Sequence, residues 1–262
     1  MTYSRALVLG AVQGLTEFLP VSSSGHLILV PRLLGWPDQG LAFDAAVHLG
    51  TLGALLAYFR RELRALATGE LSRRLALIVV TATAPAAVVG LLLAGLIEAH
   101  LRSALVVAAS TALWGIVMGI ADRRAVRPSA ARGDPLEGIG WGQGLAVGLA
   151  QALALVPGTS RSGITLTAGL FVGLDRATAA RFSFLLGLVV TGLAGAWETL
   201  RLARAGVAMM EWAPLAVAVV AAFVSGWLAV WFLVNYLRRG SLVPFVIYRL
   251  LLAAVILVIV FA

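Results

Sequence analysis

Cysteine and lysine are both absent from this 262-residue chain. Without cysteine there is no disulfide framework, no thiolate nucleophile and no sulfur-ligated metal site. Without lysine, all 20 basic residues are arginines, set against 12 acids for a formal net charge of +8. Charge of either sign is scarce: 12% of residues carry it, about half the share of a soluble domain. Combined with 61% apolar residues and a mean hydropathy of +0.98, this excludes a water-soluble globule. A basic balance can signal nucleic acid, but these arginines flank apolar runs in small groups, as topology signals do, so no nucleic-acid partner is expected. Residues 1–8 lack the basic head and small-residue cleavage site of a removable signal peptide. The chain reads as a single membrane domain, 1–262, whose first partner is the bilayer.

What is present is a series of apolar runs. Stretches 75–97, 103–121, 212–237 and 240–262 each reach the roughly 20 residues that cross a bilayer, the last interrupted by Arg249. Two shorter runs, 45–59 and 182–197, lie between charges that can snorkel at their ends. Two further stretches, 7–19 and 142–156, stop at Pro20 and Pro157. Each is followed by a small, polar, glycine-containing segment and a second short run, 27–34 and 164–172. Proline cannot continue a helical ladder, and backbone opened at membrane depth is tolerated only inside protein or along a wet cavity. These stretches therefore read as paired half-helices that re-enter the side they came from.

A shift of 138 residues lays one half of the chain on the other, carrying Gly10, Gln13, Ser22, Ser24 and Gly25 onto Gly148, Gln151, Ser160, Ser162 and Gly163. The same shift superimposes the long runs. The unit used twice is a broken hairpin followed by three spans: repeat one is 1–121, repeat two 138–262, and a basic linker, 122–137, joins them. Three spans is an odd number, so the units are expected upside down relative to one another. The fold class expected is all-α integral membrane, with two inverted-topology repeats that meet near the midplane and build a polar site there. Arg60, Arg61, Arg64, Arg73 and Arg74, with Arg123, Arg124, Arg127 and Arg132, mark two rich loops as cytoplasmic. A re-entrant second hairpin adds Arg176, Arg181, Arg238 and Arg239 to that side and leaves Arg5, Arg32, Arg102, Arg201 and Arg204 outside.

The first broken segment places Gln13 and Glu17 at i and i+4, on one helix face. A carboxylate among apolar neighbours costs a few kcal/mol at bilayer depth, so Glu17 needs a partner, a metal, water or a proton. Ser22, Ser23, Ser24, Gly25 and His26 follow; the serines could equally cap a new helix, and a lone histidine is often structural. The second segment contains Gly158, Thr159, Ser160, Arg161, Ser162, Gly163 and Thr165. Small residues free the amides ahead of a helix, making an anion nest, and Arg161 adds a planar fork matched to phosphate oxygens. An Arg161–Glu17 ion pair is the plain structural alternative. Together the two segments suit phosphoryl transfer from a lipid: a serine attacks phosphorus, His26 or Glu17 manages the proton, and Arg161 neutralises charge. Glu17 with Gln13 could also hold a hard divalent cation, Mg²⁺ or Ca²⁺, that bridges the phosphates.

These residues, Gln13-x-x-x-Glu17 with Pro-Val-Ser-Ser-Ser-Gly-His26, then Pro157-Gly-Thr-Ser-Arg-Ser-Gly-Ile-Thr165 and the late Pro244-Phe-Val-Ile-Tyr-Arg249, closely resemble the undecaprenyl-diphosphate phosphatase family, also called the bacitracin-resistance protein family. The resemblance covers essentially the whole chain. It implies a hydrolase that converts undecaprenyl diphosphate to the monophosphate carrier lipid and inorganic phosphate with a divalent cation. It also implies a multi-pass protein of the bacterial inner membrane with its cavity facing the periplasm, recycling the peptidoglycan carrier and conferring bacitracin resistance. Carried over residue by residue, it assigns the acidic motif to Gln13 and Glu17, the nucleophile to Ser23, the histidine to His26 and phosphate binding to Arg161, with Ser160, Ser162 and Thr165 beside it. Glutamine at the first acidic position removes one carboxylate, favouring a cation held jointly by Glu17 and the diphosphate. Ser22, Ser24 and direct attack by water stay open as alternatives to Ser23.

Other residues carry two readings each. Asp44 and His48, again i and i+4, read as an interface cap and a packed histidine or as support for the site. Arg249 could snorkel or reach the cavity. The seven tryptophans read as interface anchors. Gly187, Gly192 and Gly195 permit close helix packing within the chain or in a homodimer. An inverted-repeat lipid or anion transporter, or flippase, is the alternative function; the concentration of hydroxyls, His26 and Arg161 about one anion site weighs against it.

Overall fold

The computed structural model describes residues 1–37, 39–69, 72–101, 103–126, 134–205 and 212–261, and all regular structure in them is helical. In chain order the helices are α1 (Tyr3–Phe18), α2 (Ser23–Leu33), α3 (Leu41–Tyr58), α4 (Arg60–Thr68), α5 (Arg73–His100), α6 (Ala104–Arg123), α7 (Trp141–Ala152), α8 (Arg161–Phe171), α9 (Arg176–Ala205), α10 (Trp212–Tyr236) and α11 (Val243–Phe261). Short 3₁₀ turns occupy Pro135–Gly138 and Leu153–Leu155. Arg102, Arg127 and Arg132, and the side chains of Arg201 and Arg204, lie outside the described residues.

Helices α5, α6, α9, α10 and α11 are long and apolar enough to cross a membrane, and α3 with α4 makes a sixth candidate, bent by 63°. This is an all-helical membrane protein. The run 45–59, read as a span that ends at a charge, turns sharply there instead. Phe59 is buried while Arg60 and Arg61 are exposed, so the chain bends to keep the guanidinium groups out of the apolar interior. Each long helix buries one set of apolar side chains, Ile78, Met118, Phe182 and Leu233 among them, and turns others outward; Leu92 and Val258 are 74% and 67% exposed, as a lipid-facing surface requires.

Helices α1, α2, α7 and α8 have 16, 11, 12 and 11 residues. At about 1.5 Å per residue the longest reaches roughly 24 Å, short of a hydrocarbon core of roughly 30 Å. Each pair folds back on itself. The Gln143 amide at the start of α7 donates to the Val172 carbonyl just past α8 (3.0 Å). At the start of α1, Arg5 lies over the Trp36 ring beyond α2, 5.5 Å from its centroid. The hairpin tips carry the unusual backbone: Ser22 (φ 73°) and Ser160 (φ 69°) are the positive-φ residues other than glycine among the described residues, and each immediately precedes the second helix of its hairpin. That conformation is disfavoured for serine and is held only where the surroundings demand it.

The first helix of each hairpin lies on a long helix from the other half of the chain. A Cβ at Gly10 would overlap the Ala218 carbonyl of α10, and one at Gly148 the Ala82 carbonyl of α5. Glycine is required for backbones to approach this closely. Gly192 and Gly195 face Leu52 and Leu49 of α3, so they serve packing within the chain. Beneath the first hairpin tip, Phe18 packs edge-on against Phe184 (5.7 Å between centroids), which also meets Phe59.

One end of the bundle is fastened by ion pairs. Arg176 at the start of α9 bonds Asp122 at the end of α6 (2.5 Å), and Arg181 bonds both carboxyl oxygens of Asp134 (2.8 Å each) and Glu62 of α4 (3.2 Å). Burial works against an ionised Asp134, but the Arg181 bonds and the Leu136 amide outweigh it and hold the carboxyl below its ordinary value. A lowered folded-state value adds stability that is present above the unfolded aspartate value of about 4 and is lost as pH falls through the lower folded one. Asp134→Asn is expected to destabilise the detergent-solubilised protein by roughly 1–2 kcal/mol at pH 7. It should also flatten the acid-side decline of the melting temperature, measured by thermal unfolding from pH 7 down to about pH 3.

Candidate active site

The two hairpin tips meet. The Gly158 amide donates to Ser24 Oγ (3.4 Å), and Ser162 Oγ donates to the Leu19 carbonyl (3.2 Å). On the far side, Thr111 Oγ1 of α6 donates to the Gly158 carbonyl (3.1 Å), and Ser110 Oγ to that of Pro157. Helices α2 and α8 therefore begin within one small volume, at Ser23 and Arg161. The positive dipole ends of both helices lie there.

Glu17, on the last turn of α1, is the hub. Its Oε1 accepts from Arg161 Nη2 (3.1 Å), and its Oε2 accepts from Ser23 Oγ (2.9 Å) and Gln13 Nε2 (3.1 Å). The Glu17 and Arg161 side chains are only 9% and 11% exposed, so this charge pair is held largely away from water. Gln13 Nε2 also lies 3.2 Å from His48 Nε2. An amide nitrogen can only donate, so His48 accepts there and its Nδ1 carries the proton toward the Asp44 carbonyl (2.6 Å). Of the two readings of His48, this geometry matches support of the site.

The structure thus brings Gln13, Glu17, Ser23 and Arg161 into one bonded set, with Ser24 and Gly158 beside it. The other candidates are disposed differently. Ser22 Oγ is buried and pairs with Ser24 (3.4 Å). Ser160 caps α8 by accepting from the Gly163 amide (3.2 Å) and pairs with Ser162 (3.3 Å). Thr165 is fully buried and bonds the Arg161 carbonyl (2.8 Å) and Ser183 (2.5 Å). Thr159 is equally buried, and its hydroxyl has no partner. His26 is turned away from Ser23: Nδ1 donates to the Ser22 carbonyl (2.7 Å) and Nε2 meets the Tyr248 hydroxyl (2.6 Å). Helical spacing explains this, because residue 26 stacks over the Ser22 carbonyl one turn back, whereas Ser23 points to Glu17.

Two contributors, Tyr248 and Gly187, were not legible as parts of the site, and reaching the cavity was one of the two readings that Arg249 carried. Tyr248 and Arg249 reach it from α11, and the one signal available was a charge inside an apolar span. Gly187 of α9 was legible only as a packing glycine. A Cβ there would overlap Arg161 Nη1, so its bare backbone is the floor on which the guanidinium lies.

For a divalent cation, Gln13 Oε1 is buried and without a partner, while Glu17 already accepts three donors. No group of three or more His, Cys, Asp or Glu side chains able to hold a metal occurs among the described residues. A hard divalent ion takes about six oxygens, so these two residues fit one only jointly with oxygens of a bound anion. An apolar cavity opens beside the site, between α2, α6 and α11, where Gly25, Leu29 and Arg32 face Val107, Ile256 and Val260.

The chain matches known proteins over almost its whole length. Residues 6–255 match the family described as bacitracin resistance protein BacA. An undecaprenyl-diphosphatase of Teredinibacter turnerae is 44% identical over 268 residues, covering 98% of this chain and 99% of that protein. Undecaprenyl-diphosphatase 2 of Stutzerimonas stutzeri is 47% identical with 98% of each chain covered, and an undecaprenyl-diphosphatase of Alteromonas mediterranea is 45% identical over the whole of both.

The Gly187 floor has a direct consequence. Gly187→Ala is expected to push the guanidinium off α9 and weaken binding of inorganic diphosphate by about tenfold or more. Titration calorimetry on the solubilised protein checks this; unchanged affinity would mean that Arg161 does not bind the anion from this position.

Proposed function

The chain belongs to the family of the bacitracin resistance protein BacA, and from that premise we propose that it hydrolyses undecaprenyl diphosphate to undecaprenyl phosphate and inorganic phosphate in a bacterial membrane. The observation that carries the chemistry is the Ser23 hydroxyl bonded to the Glu17 carboxylate, which in turn holds Arg161. Of the three adjacent serines, Ser23 has the hydroxyl that donates to a base.

In this reading the terminal phosphoryl group enters where α2 and α8 begin. Ser23 Oγ attacks phosphorus as Glu17 Oε2 takes its proton, and the bond to the bridging oxygen breaks. The proton passes to that oxygen as undecaprenyl phosphate leaves. Water, deprotonated by the same carboxylate, then opens the phosphoserine; inorganic phosphate departs and the proton returns to Ser23. Arg161 and the helix-start amides stabilise the charge that builds on the phosphoryl oxygens. Gly158, Thr159, Ser160, Ser162, Gly163 and Thr165 shape the cradle, with Ser22 and Ser24 bracing the opposite tip. His26 orients the start of α2. Gln13 Oε1 and Glu17, with diphosphate oxygens, would hold Mg²⁺ or Ca²⁺, which would offset part of the substrate's charge. The cavity beside Gly25 suits the prenyl chain, being apolar and adjacent to the phosphate site.

The architecture is read as a single domain of two inverted repeats, 1–121 and 138–262, joined by the linker 122–137. Three observations support it: the 138-residue offset of the strained Ser22 and Ser160, the reciprocal contacts of Gly10 and Gly148, and hairpins that close at their own ends. The Arg176–Asp122 and Arg181–Asp134 pairs join the start of α9 to the chain that precedes α7, which supports a re-entrant second hairpin. With the arginine-rich loops in the cytoplasm, the end of the bundle that carries Arg32, Ala104 and Val260, where the cavity lies, is the opposite one, in keeping with the periplasmic face that the family resemblance implies.

Glu17→Gln, Ser23→Ala and Arg161→Ala are each expected to lower phosphate release from undecaprenyl diphosphate by about 100-fold or more, assayed in detergent with purified full-length protein. Near-normal turnover in both the Glu17 and Arg161 variants would remove this site from the reaction.

A further inference from the structure

Helix α11 supplies a charged group that the mechanism above leaves unused. Arg249 is 0% exposed, the largest fully buried side chain among the described residues. Its position in the last span left it free either to snorkel or to face inward; it faces inward, and no carboxylate among the described residues pairs with it. Backbone carbonyls take its protons. Nη1 donates to Pro20 in the first hairpin tip (3.4 Å), Nη2 to Gly158 and Thr159 in the second (3.1 and 3.0 Å), and Nε to Thr111 of α6 (3.1 Å). Space is cleared for it, since a Cβ at Gly115 would lie 3.2 Å from Arg249 Cβ and one at Gly163 would lie 3.1 Å from Nη1.

The chemistry of the guanidinium explains why this side chain fits. The tips have lost their helical hydrogen bonds, so their carbonyls are acceptors buried in an apolar environment, where each unpaired group is costly. A planar fork with five donors can satisfy carbonyls from several segments at one centre; an ammonium on a thin stem cannot cover the same spread. The carbonyls chosen matter for the reaction. Pro20 lies midway between Glu17 and Ser23 in the chain, and Thr159 lies two residues before Arg161. Next door, Tyr248 bonds His26 (2.6 Å) and stacks on it, with 5.6 Å between ring centroids, so α11 holds the start of α2 as well.

We propose that Arg249 is a positioning residue for the hydrolysis, fixing the two hairpin tips at the separation at which Ser23 and Arg161 meet the same phosphoryl group. This rests on the reading given under Proposed function and deepens it. Arg249 touches no reacting atom; it acts through the backbone of both tips.

The test uses purified full-length Arg249→Ala and Arg249→Lys beside wild type and Arg161→Ala, with undecaprenyl diphosphate as substrate. Fold is followed by size-exclusion elution and melting temperature. Arg249→Ala is expected to elute as wild type, with kcat down about 100-fold and KM within about threefold, since a shift of about 1 Å in the reacting groups costs that much. Millimolar guanidinium chloride should refill the vacated space and recover about tenfold of the lost kcat, against sodium chloride at equal ionic strength as control. Arg249→Lys, which fills the space without spanning the carbonyls, should stay about tenfold down and not respond. A folded Arg249→Ala with kcat within about threefold of wild type overturns the proposal. So does a folded, slow variant that guanidinium leaves unchanged, and so does failure of both variants to elute as wild type, which would make the residue part of the fold alone. Inactive wild type, or an active Arg161→Ala, overturns the active-site reading instead, whatever position 249 does.

Discussion

Backbone opened inside an apolar medium must find its hydrogen bonds within the protein, and the rest of this molecule is arranged around that requirement. Proline ends both short helices at their tips, leaving carbonyls at 19, 20, 157, 158 and 159 with no helical amide to accept from. Leu19 accepts from the Val21 amide in its own turn and from Ser162 of the other tip; the rest are met from outside their own segments, Pro157 and Gly158 by Ser110 and Thr111, and Pro20, Gly158 and Thr159 by Arg249. Neither tip is satisfied alone. The same bonds that settle the backbone therefore bring the tips together, and the chemistry at Ser23 and Arg161 is a consequence of that union.

Charge follows from the same arrangement. One guanidinium, Arg161, pairs with Glu17, a second, Arg249, lies among the backbone carbonyls of both tips, and the starts of two helices add their positive ends. In a medium of low dielectric such an excess is strongly felt, and a multiply charged phosphate relieves it. Anion affinity by itself would serve a carrier as well as a hydrolase. The feature that separates them is the orientation of Glu17, which spends one oxygen on Arg161 and directs the other to a serine hydroxyl. Holding and releasing an anion does not call for a carboxylate that accepts a hydrogen bond from a serine hydroxyl; the reading proposed above does.

Much of this was legible before any coordinates. Pro20 and Pro157 marked the breaks because proline's lost donor is a local property. Gln13 and Glu17 share a face because helical spacing is local too, and the 138-residue offset paired Ser22 with Ser160, the two serines that adopt left-handed backbone. What escaped depended on direction and depth. Whether His26 faces Ser23 or Tyr248 is set by the turn preceding it and by α11, more than 200 residues away in sequence. Arg249 could be placed in a span but not aimed, since snorkelling and inward burial differ only in what packs around the stem. Phe59 reads as one more apolar residue, yet its burial beside exposed arginines bends α3 into α4.

The same offset sets unlike residues at matching places in the two hairpins. Residue 138 places after Ser23 is Arg161, and the position equivalent to Glu17 is Leu155. With an acid in both halves, two carboxylates would face each other in an apolar pocket and one would have to stay protonated; with an arginine in both, two guanidinium groups would repel across the same gap. Divergence at these positions gives opposite charges that pair directly. Gln151, 138 places after Gln13, is buried with neither end of its amide bonded, and the residue four places on is Leu155 where the first hairpin has Glu17. The two hairpin tips supply convergence, and the unlike residues mounted on them set a hydroxyl, a carboxylate and a guanidinium in one bonded group.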